Sequence, residues 1–485
     1  MRELKLVAKG GVFSLFGDAV NYSLSYVFLF LASHFLGASL LGSYYWAIAI
    51  ASLLGEFADL GTGQGLIYFS PKYEAEKGKD SSLPLLRFVL GFTLTNALIV
   101  GTLLFIFAPQ VAAYFNKAEL SWLIRLFAIA MPLSAFWPVV YKYCVGRFQI
   151  TTGILYGDIS RPIIRVFVLI AFIFMGQKAF ALVGTEMIVG LVLFIVGVLI
   201  IIKLWGRGVF RQKLSWKEKK SVLLYSIPFL PLNLARGERM IIIITGLFLL
   251  STQIGIFGVV LKIAALSQVI LTGMNFVLRP MVSKLYAEKN MEALKGVYRS
   301  VTRWIFVLTL PLSYLFIFYS GPVLALFGEK FTAGAMALTI VAIGYLFEYG
   351  TSATQVIINM TGKSLLSLIN QIIYLAIVVV LAFLLIPHYG IVGGAVAVAA
   401  GIVAINLLRL YQSYRIVGFT PYSWYLFKPL LAAAIAGLLV RMIPSCQILY
   451  VGISYLLAYA AAIIILRIDQ EDRELLLGLR RKLFF

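Results

Sequence analysis

The sequence predicts an all-α polytopic membrane protein with about 14 transmembrane helices, and three observations lead there. Of 485 residues, 61% are apolar and only 13% charged, whereas soluble domains run about 45–50% apolar and about 25% charged. The apolar residues fall in runs of about 20 or more, the length that crosses a hydrocarbon core about 30 Å thick at 1.5 Å per residue. The basic residues, 41 Lys and Arg against 20 Asp and Glu, collect between those runs in alternate loops, as the positive-inside rule requires. That placement excludes nucleic-acid binding as the meaning of the net charge of +21, because the basic residues are separated by long apolar runs. An aromatic share of 14% excludes disorder. Cys144 and Cys446 are too distant in sequence to suggest a disulfide framework or a thiolate metal site.

In chain order, the first span, 10–36, follows Arg2, Lys5 and Lys9 and is too long for a signal-peptide core. The second, 40–69, contains Glu56, Asp59 and the segment GTGQG; the third is 84–108. The fourth and fifth, 120–143 and 147–175, are divided only by Tyr141 to Arg147, and the sixth is 180–203. The longest inner connection, Lys203 to Ser221, contains RQKLSWKEKK and reads as a solvated linker near anionic lipid head groups. The seventh span, 221–247, is interrupted by Arg236, Glu238 and Arg239. The remainder are 251–279, 297–320, 333–360, 364–386, 391–415, 425–443 and 447–467.

With the N-terminus cytoplasmic and every span crossing, 31 of the 41 basic residues fall on the cytoplasmic side. Lys117, Arg125, Lys178, Lys330 and Arg441 fall outside, and Arg161, Arg165, Arg236, Arg239 and Lys262 lie within spans. One span more or fewer in the middle would invert every later loop, so an even count is expected, with both termini cytoplasmic in a plasma or inner membrane.

An internal offset near 213 aligns two halves. Leu41-Gly42 meets Ile254-Gly255, Leu86-Arg87 meets Tyr298-Arg299, Gly146-Arg147 meets Gly362-Lys363, and Val183-Gly184 meets Val392-Gly393. Six spans per half make the repeat parallel. The expected organisation is a six-helix half over 1–210, a second over 211–420, and two extra helices with a tail over 421–485.

These features resemble the MOP superfamily, which includes the MATE drug exporters. Fourteen spans with two at the C-terminus resemble more its polysaccharide-transporter branch, the Wzx-type flippases of lipid-linked oligosaccharides. The stretches that resemble it are LGASLLGSYYWAIAI, GQGLIYFSPKYEAEKGK, its counterpart RPMVSKLYAEKNMEALKGVYR, IPHYGIVGGAVAVA, and Glu238-Arg239 before Ile241. The resemblance implies a MATE-like fold and a central basic cavity for a polyprenyl-diphosphate-linked glycan. Membrane lipids and polysaccharide-assembly proteins would be the partners, and H⁺ or Na⁺ coupling would replace any cofactor. The lipid II flippase branch also has fourteen spans, but its basic-rich first span is not found here; span 1 holds Asp18 instead.

Charges inside spans are the candidate site, since each is costly unless it faces a polar cavity or a partner. Arg161 and Arg165 are four apart, on one helix face, with Asp158 beside them. Guanidinium groups suit phosphate oxygens; the alternative is an Asp158–Arg161 ion pair with Arg165 reaching for the interface. Arg236 and Arg239 share a face of span 7, and Lys262 is alone in span 8. These five are the expected substrate contacts, with structural pairing as the alternative for Arg236 and Arg239 and pairing with a nearby acid as the alternative for Lys262. Asp18, Glu56 and Asp59 are the expected coupling acids, with neutralisation of the arginines as the alternative, and Glu186 and Glu348 read as isolated acids. No catalytic or metal-binding set is expected. Three functions compete: a flippase for lipid-linked oligosaccharide, a cation-coupled multidrug antiporter, and a membrane glycosyltransferase or polymerase. The short outer loops count against the last.

Overall fold

The structure, a computed structural model, describes residues 2–78, 80–206, 214–234, 237–422, 424–441 and 448–465, and every regular element among them is helical. Nine helices in this set are long and apolar enough to cross a membrane. The chain divides into two compact units, Met1–Gly258 and Val259–Phe485.

The first unit begins with α1 (Arg2–Asp59), followed by α2 (Thr62–Lys77), α3 (Leu83–Tyr114), α4 (Ser121–Gly146), α5 (Ile150–Ile154), α6 (Ser160–Phe174) and α7 (Lys178–Trp205). At 58 residues α1 would extend about 87 Å if straight, far more than one crossing. It reverses at Gly37, whose φ of 81° is one that glycine adopts without a steric penalty. The reversal brings Phe28 and Tyr44 onto the same guanidinium, that of Arg165. Spans 1 and 2 are therefore the two legs of α1. The second leg stops at Leu60 and Gly61, with φ of 46° and 75°, and the remainder of the expected span is α2.

Two further stretches of this unit expected as single spans are broken. The 147–175 stretch is α5, a π-helical turn over Leu155–Ile159 and then α6; such a turn inserts an extra residue and re-aims the side chains beyond it. The 221–247 stretch is α8 (Trp216–Ser226), α9 (Phe229–Leu234) and α10 (Gly237–Phe248). Pro228 lies between α8 and α9, where its ring and missing N–H disfavour continuation of a helix. The core of this unit is a cluster that includes Leu85, Leu86, Tyr143, Tyr156 and Leu193.

A close approach within this unit joins the second leg of α1 to α11 (Ser251–Ala264). A methyl group on Gly42 would stand 2.7 Å from the Gly255 nitrogen and overlap the Ser251 carbonyl; one on Gly255 would stand 2.9 Å from the Gly42 nitrogen and overlap the Ala38 carbonyl. Small residues four apart on each helix let the backbones touch, the usual device for packing helices in lipid. Beside them, buried Lys117 donates to the Leu249 carbonyl at 2.8 Å, at the negative end of α10, and burial pushes its ammonium pKa down.

The second unit holds the end of α11, then α12 (Gln268–Ala287), α13 (Met291–Phe318), α14 (Ser320–Ala325), α15 (Ala335–Gly350), α16 (Thr354–Met360), α17 (Ser364–Val417), α18 (Phe427–Arg441) and α19 (Ile448–Ile465). α17 is again two spans in one, reversing at Gly390 with φ 58°. Its legs are tied by reciprocal amide hydrogen bonds between Asn370 and Gln412, at 2.7 and 2.9 Å. α19 packs on α13 through Tyr314 and Tyr455, whose rings stack with centroids 4.1 Å apart, and through the Tyr459 hydroxyl, which donates to the Val307 carbonyl.

Candidate functional site

The first unit encloses a cavity of about 500 Å³, within the range of ligand sites, about 300–1,000 Å³. Six ionisable side chains line it: Glu56 and Asp59 on α1, Lys142 on α4, Arg161 on α6, Glu186 on α7 and Arg239 on α10. Ser52, Gln64, Ser134, Asn233, Phe127 and Trp137 are among the other lining residues. An apolar membrane unit keeps such groups only if they are paired or face a polar ligand, so their partners decide what the cavity can do.

Three ion pairs account for most of the charge. Arg239 Nη2 meets Glu56 Oε1 at 2.7 Å, and Nη1 donates to the Ser52 carbonyl at 3.2 Å. Lys142 Nζ meets Asp59 Oδ2 at 3.2 Å. The other Asp59 oxygen accepts from the Thr62 hydroxyl at 2.9 Å and from the Gly63 N–H at 3.0 Å, placing the carboxylate at the positive N-terminus of α2. Farther along, Arg165 Nε meets Glu186 Oε1 at 2.8 Å. Tyr44 closes a triangle there, accepting from Arg165 at 2.6 Å and donating to Glu186 at 2.9 Å. Tyr44 and Asp59 are fifteen residues apart on the second leg of α1, about 22 Å along the helix axis.

Counting Arg165, four cations face three carboxylates. The remaining cation is Arg161, which among the described residues makes no carboxylate contact within 4 Å. Its guanidinium lies over the Trp137 ring, 4.8 Å from the centroid. A cation held by an aromatic face keeps its donors available to an anion. Asp158 is held instead by the Tyr141 hydroxyl, which donates to it at 3.0 Å; no Asp158–Arg161 ion pair is present among the described residues.

Of the residues singled out from sequence, Arg161, Arg239, Glu56 and Asp59 come together at the cavity. Arg165 is adjacent, held by Glu186 and Tyr44 and packed 3.8 Å from the Phe28 ring centroid. Asp18 is not among the lining residues. Lys262 is exposed on α11 and does not line this cavity. Arg236 lies outside the described residues.

Sequence reasoning missed Lys142, counted as a loop charge, and missed that Glu186 is paired. The second was findable: Arg165 and Glu186 are nearly equidistant from the short turn at Gly176 and Gln177, and residues equidistant from a helix-hairpin turn face each other.

Comparison with known proteins places these features. A family model described as "Polysaccharide biosynthesis protein" matches residues 31–336. An uncharacterized membrane protein of Methanocaldococcus jannaschii is 24% identical over 379 residues, 74% of each chain. Among solved structures, a lipid II flippase, MurJ, in an inward closed conformation superposes with a TM-score of 0.74 at 15% identity, covering 94% of this chain and 98% of that one. An inward-facing multidrug resistance MATE transporter of the MOP superfamily gives 0.65 at 15% identity, with 82% and 94% covered. A MOP superfamily transporter from Pyrococcus furiosus gives 0.57 at 15%, with 84% and 96% covered. At these identities the structural likeness is one of fold.

Proposed function

The chain belongs to the polysaccharide biosynthesis protein family, in the polysaccharide-transporter branch of the MOP superfamily, and from that premise we propose that it flips a polyprenyl-diphosphate-linked oligosaccharide from the cytoplasmic to the outer leaflet. The supporting observation is the cavity, whose cation in excess of its ion pairs, Arg161, lies on an aromatic face. In this reading the diphosphate meets Arg161, with the Arg239 and Lys142 cations nearby, the sugars meet Trp137, Gln64 and Asn233, and the polyprenyl tail stays in lipid. Two parallel six-helix halves, with two further spans at the C-terminus, would rock to expose the cavity to each side in turn. Coupling to H⁺ or Na⁺ falls to Glu56 and Asp59, whose pairs with Arg239 and Lys142 an incoming diphosphate would compete for, and to Asp18. Arg236 and Lys262 remain proposed contacts of the same substrate.

A multidrug antiporter, the competing reading, needs a carboxylate left over for a cationic drug. Here Glu56, Asp59 and Glu186 each face a cation. The test is flipping of purified lipid-linked oligosaccharide in vesicles containing the full chain. Arg161→Ala should abolish it while leaving folded protein in the membrane, and Arg161→Lys should restore part of it. Undiminished flipping by Arg161→Ala, or efflux of cationic drugs with no glycan movement, would overturn the proposal. Flipping of lipid II in place of other glycans would reassign the substrate within the same chemistry.

A further inference from the structure

Arg161 has an acid three residues before it, Asp158, yet among the described residues the two do not pair. On a regular helix that spacing puts two side chains on one face, within reach of each other. The backbone keeps them apart first. Asp158 belongs to the π-helical turn Leu155–Ile159, which ends two residues before Arg161, and the extra residue of such a turn shifts what precedes it round the helix axis. The turn is held on several sides. Tyr156 is buried and its hydroxyl donates to the Leu193 carbonyl at 2.6 Å, and the Ser160 hydroxyl donates back to the Leu155 carbonyl. Gly157 lies against two rings of α4: a methyl group there would stand 2.7 Å from Tyr141 and 3.3 Å from Trp137.

Those two rings complete the separation. Trp137 and Tyr141 are four apart, on one face of α4. A short turn at Arg147 to Gln149 joins α4 to α5, so residues nearly equidistant from it face each other across the hairpin: Trp137 with Arg161, and Tyr141 with Asp158. The rings sort the charges by their chemistry. The indole face attracts the guanidinium, 4.8 Å from its centroid, and the phenol hydroxyl donates to the carboxylate at 3.0 Å. Tyr141 and Asp158 are not among the residues lining the cavity, whereas Trp137 and Arg161 are.

We propose that Tyr141 is a positioning residue for anion binding: by engaging Asp158 it keeps that carboxylate from neutralising Arg161, whose donors then stay open to a phosphate oxygen. This role rests on the reading of Arg161 as the anion contact of the cavity. Tyr141 touches no substrate; it acts through Asp158, and Asp158 acts through Arg161. Without the hydroxyl, the carboxylate loses its donor on α4, and the guanidinium three residues on becomes its alternative partner. An arginine paired in that way presents less positive charge to an incoming phosphate and has fewer donors free for it.

The test is calorimetric titration of the full chain in detergent with inorganic pyrophosphate, run beside the vesicle flipping assay. Tyr141→Phe should weaken pyrophosphate binding about tenfold, as one charge-assisted hydrogen bond lost to a competing carboxylate would. Asp158→Asn, which cannot neutralise a guanidinium, should bind at least as tightly as wild type. The double variant Tyr141→Phe/Asp158→Asn should regain wild-type binding, a rescue that a merely structural role for the hydroxyl would not give. No pyrophosphate binding by wild type, undiminished binding by Tyr141→Phe, or a double variant as weak as Tyr141→Phe would each overturn the proposal. Binding that follows the expected pattern with no glycan flipping would uphold it and sink the substrate reading alone. Glycan flipping with no effect of Tyr141→Phe on binding would do the reverse.

Discussion

Replacing Glu186 by Gln removes the carboxylate from a site where Arg165 and Tyr44 both depend on it. The pair is largely shielded from solvent, with side-chain exposures of 20% for Arg165 and 12% for Glu186, and N–O separation of 2.8 Å. At an effective dielectric of 20 and a charge separation near 4 Å, the Coulomb attraction is about 4 kcal/mol. The Tyr44 hydroxyl adds two hydrogen bonds to charged groups, each worth about 1.5–3 kcal/mol. Most of that gain offsets desolvation in the intact protein, but breaking one partner leaves the other charge buried alone, a loss of about 3–5 kcal/mol. Glu186→Gln and Arg165→Met should each destabilise the protein by about that amount, whereas the double variant Arg165→Met/Glu186→Gln should recover much of it. The assay is thermal unfolding in detergent, read as a double-mutant cycle with an expected coupling of at least about 2 kcal/mol. Additive effects with no coupling would refute the assignment of Arg165 to the fold and return it to the substrate.

Asp59→Asn and Lys142→Met should each reduce glycan flipping, and the double variant should flip no worse than either alone; strictly multiplicative losses would show that the two act separately. Gly42→Ala should lower the unfolding temperature, corresponding to about 1–3 kcal/mol of overpacking, while Gly296→Ala, where a methyl group meets nothing within 4 Å, should raise it slightly through helix propensity; a neutral Gly42→Ala would contradict the close approach. Hydrogen bonds from Lys77 and Ser215 hold the Glu218 carboxyl at about 2, from an ordinary 4.5. A depressed carboxylate stabilises the fold fully above its unfolded value and loses that contribution as pH falls from about 4.5 toward 2. Carbon-13 titration of Glu218 should therefore show a midpoint near 2, moving up in Lys77→Met; a wild-type midpoint at 4.5 would disprove the contact.

Membrane class and the positions of most spans were legible in the sequence because they depend on local, additive quantities: apolar run length against bilayer thickness, and loop charge against orientation. The breaks were less legible. The reversals at Gly37 and Gly390 fall between spans the sequence already separates, and Pro228 marked the break between α8 and α9, but nothing local distinguished the π-helical turn over Leu155–Ile159 inside a stretch expected as one span. Within the candidate site, the intramembrane charges identify themselves by their cost in lipid, so Arg161, Arg239, Glu56 and Asp59 are recognisable from the sequence alone.

What the sequence by itself determined was therefore an all-helical membrane protein, the expected side of each loop, and the set of charges that needed an explanation. What only the tertiary structure decided was how those charges divide. Arg165 pairs with Glu186, Arg239 with Glu56 and Lys142 with Asp59, while Arg161 is left on Trp137. The Lys142 and Arg239 pairs join residues 83 and 183 positions apart, brought together by helix packing. An ion pair and an unpaired cation look alike in a sequence; they differ only in whether a carboxylate from another helix arrives within reach.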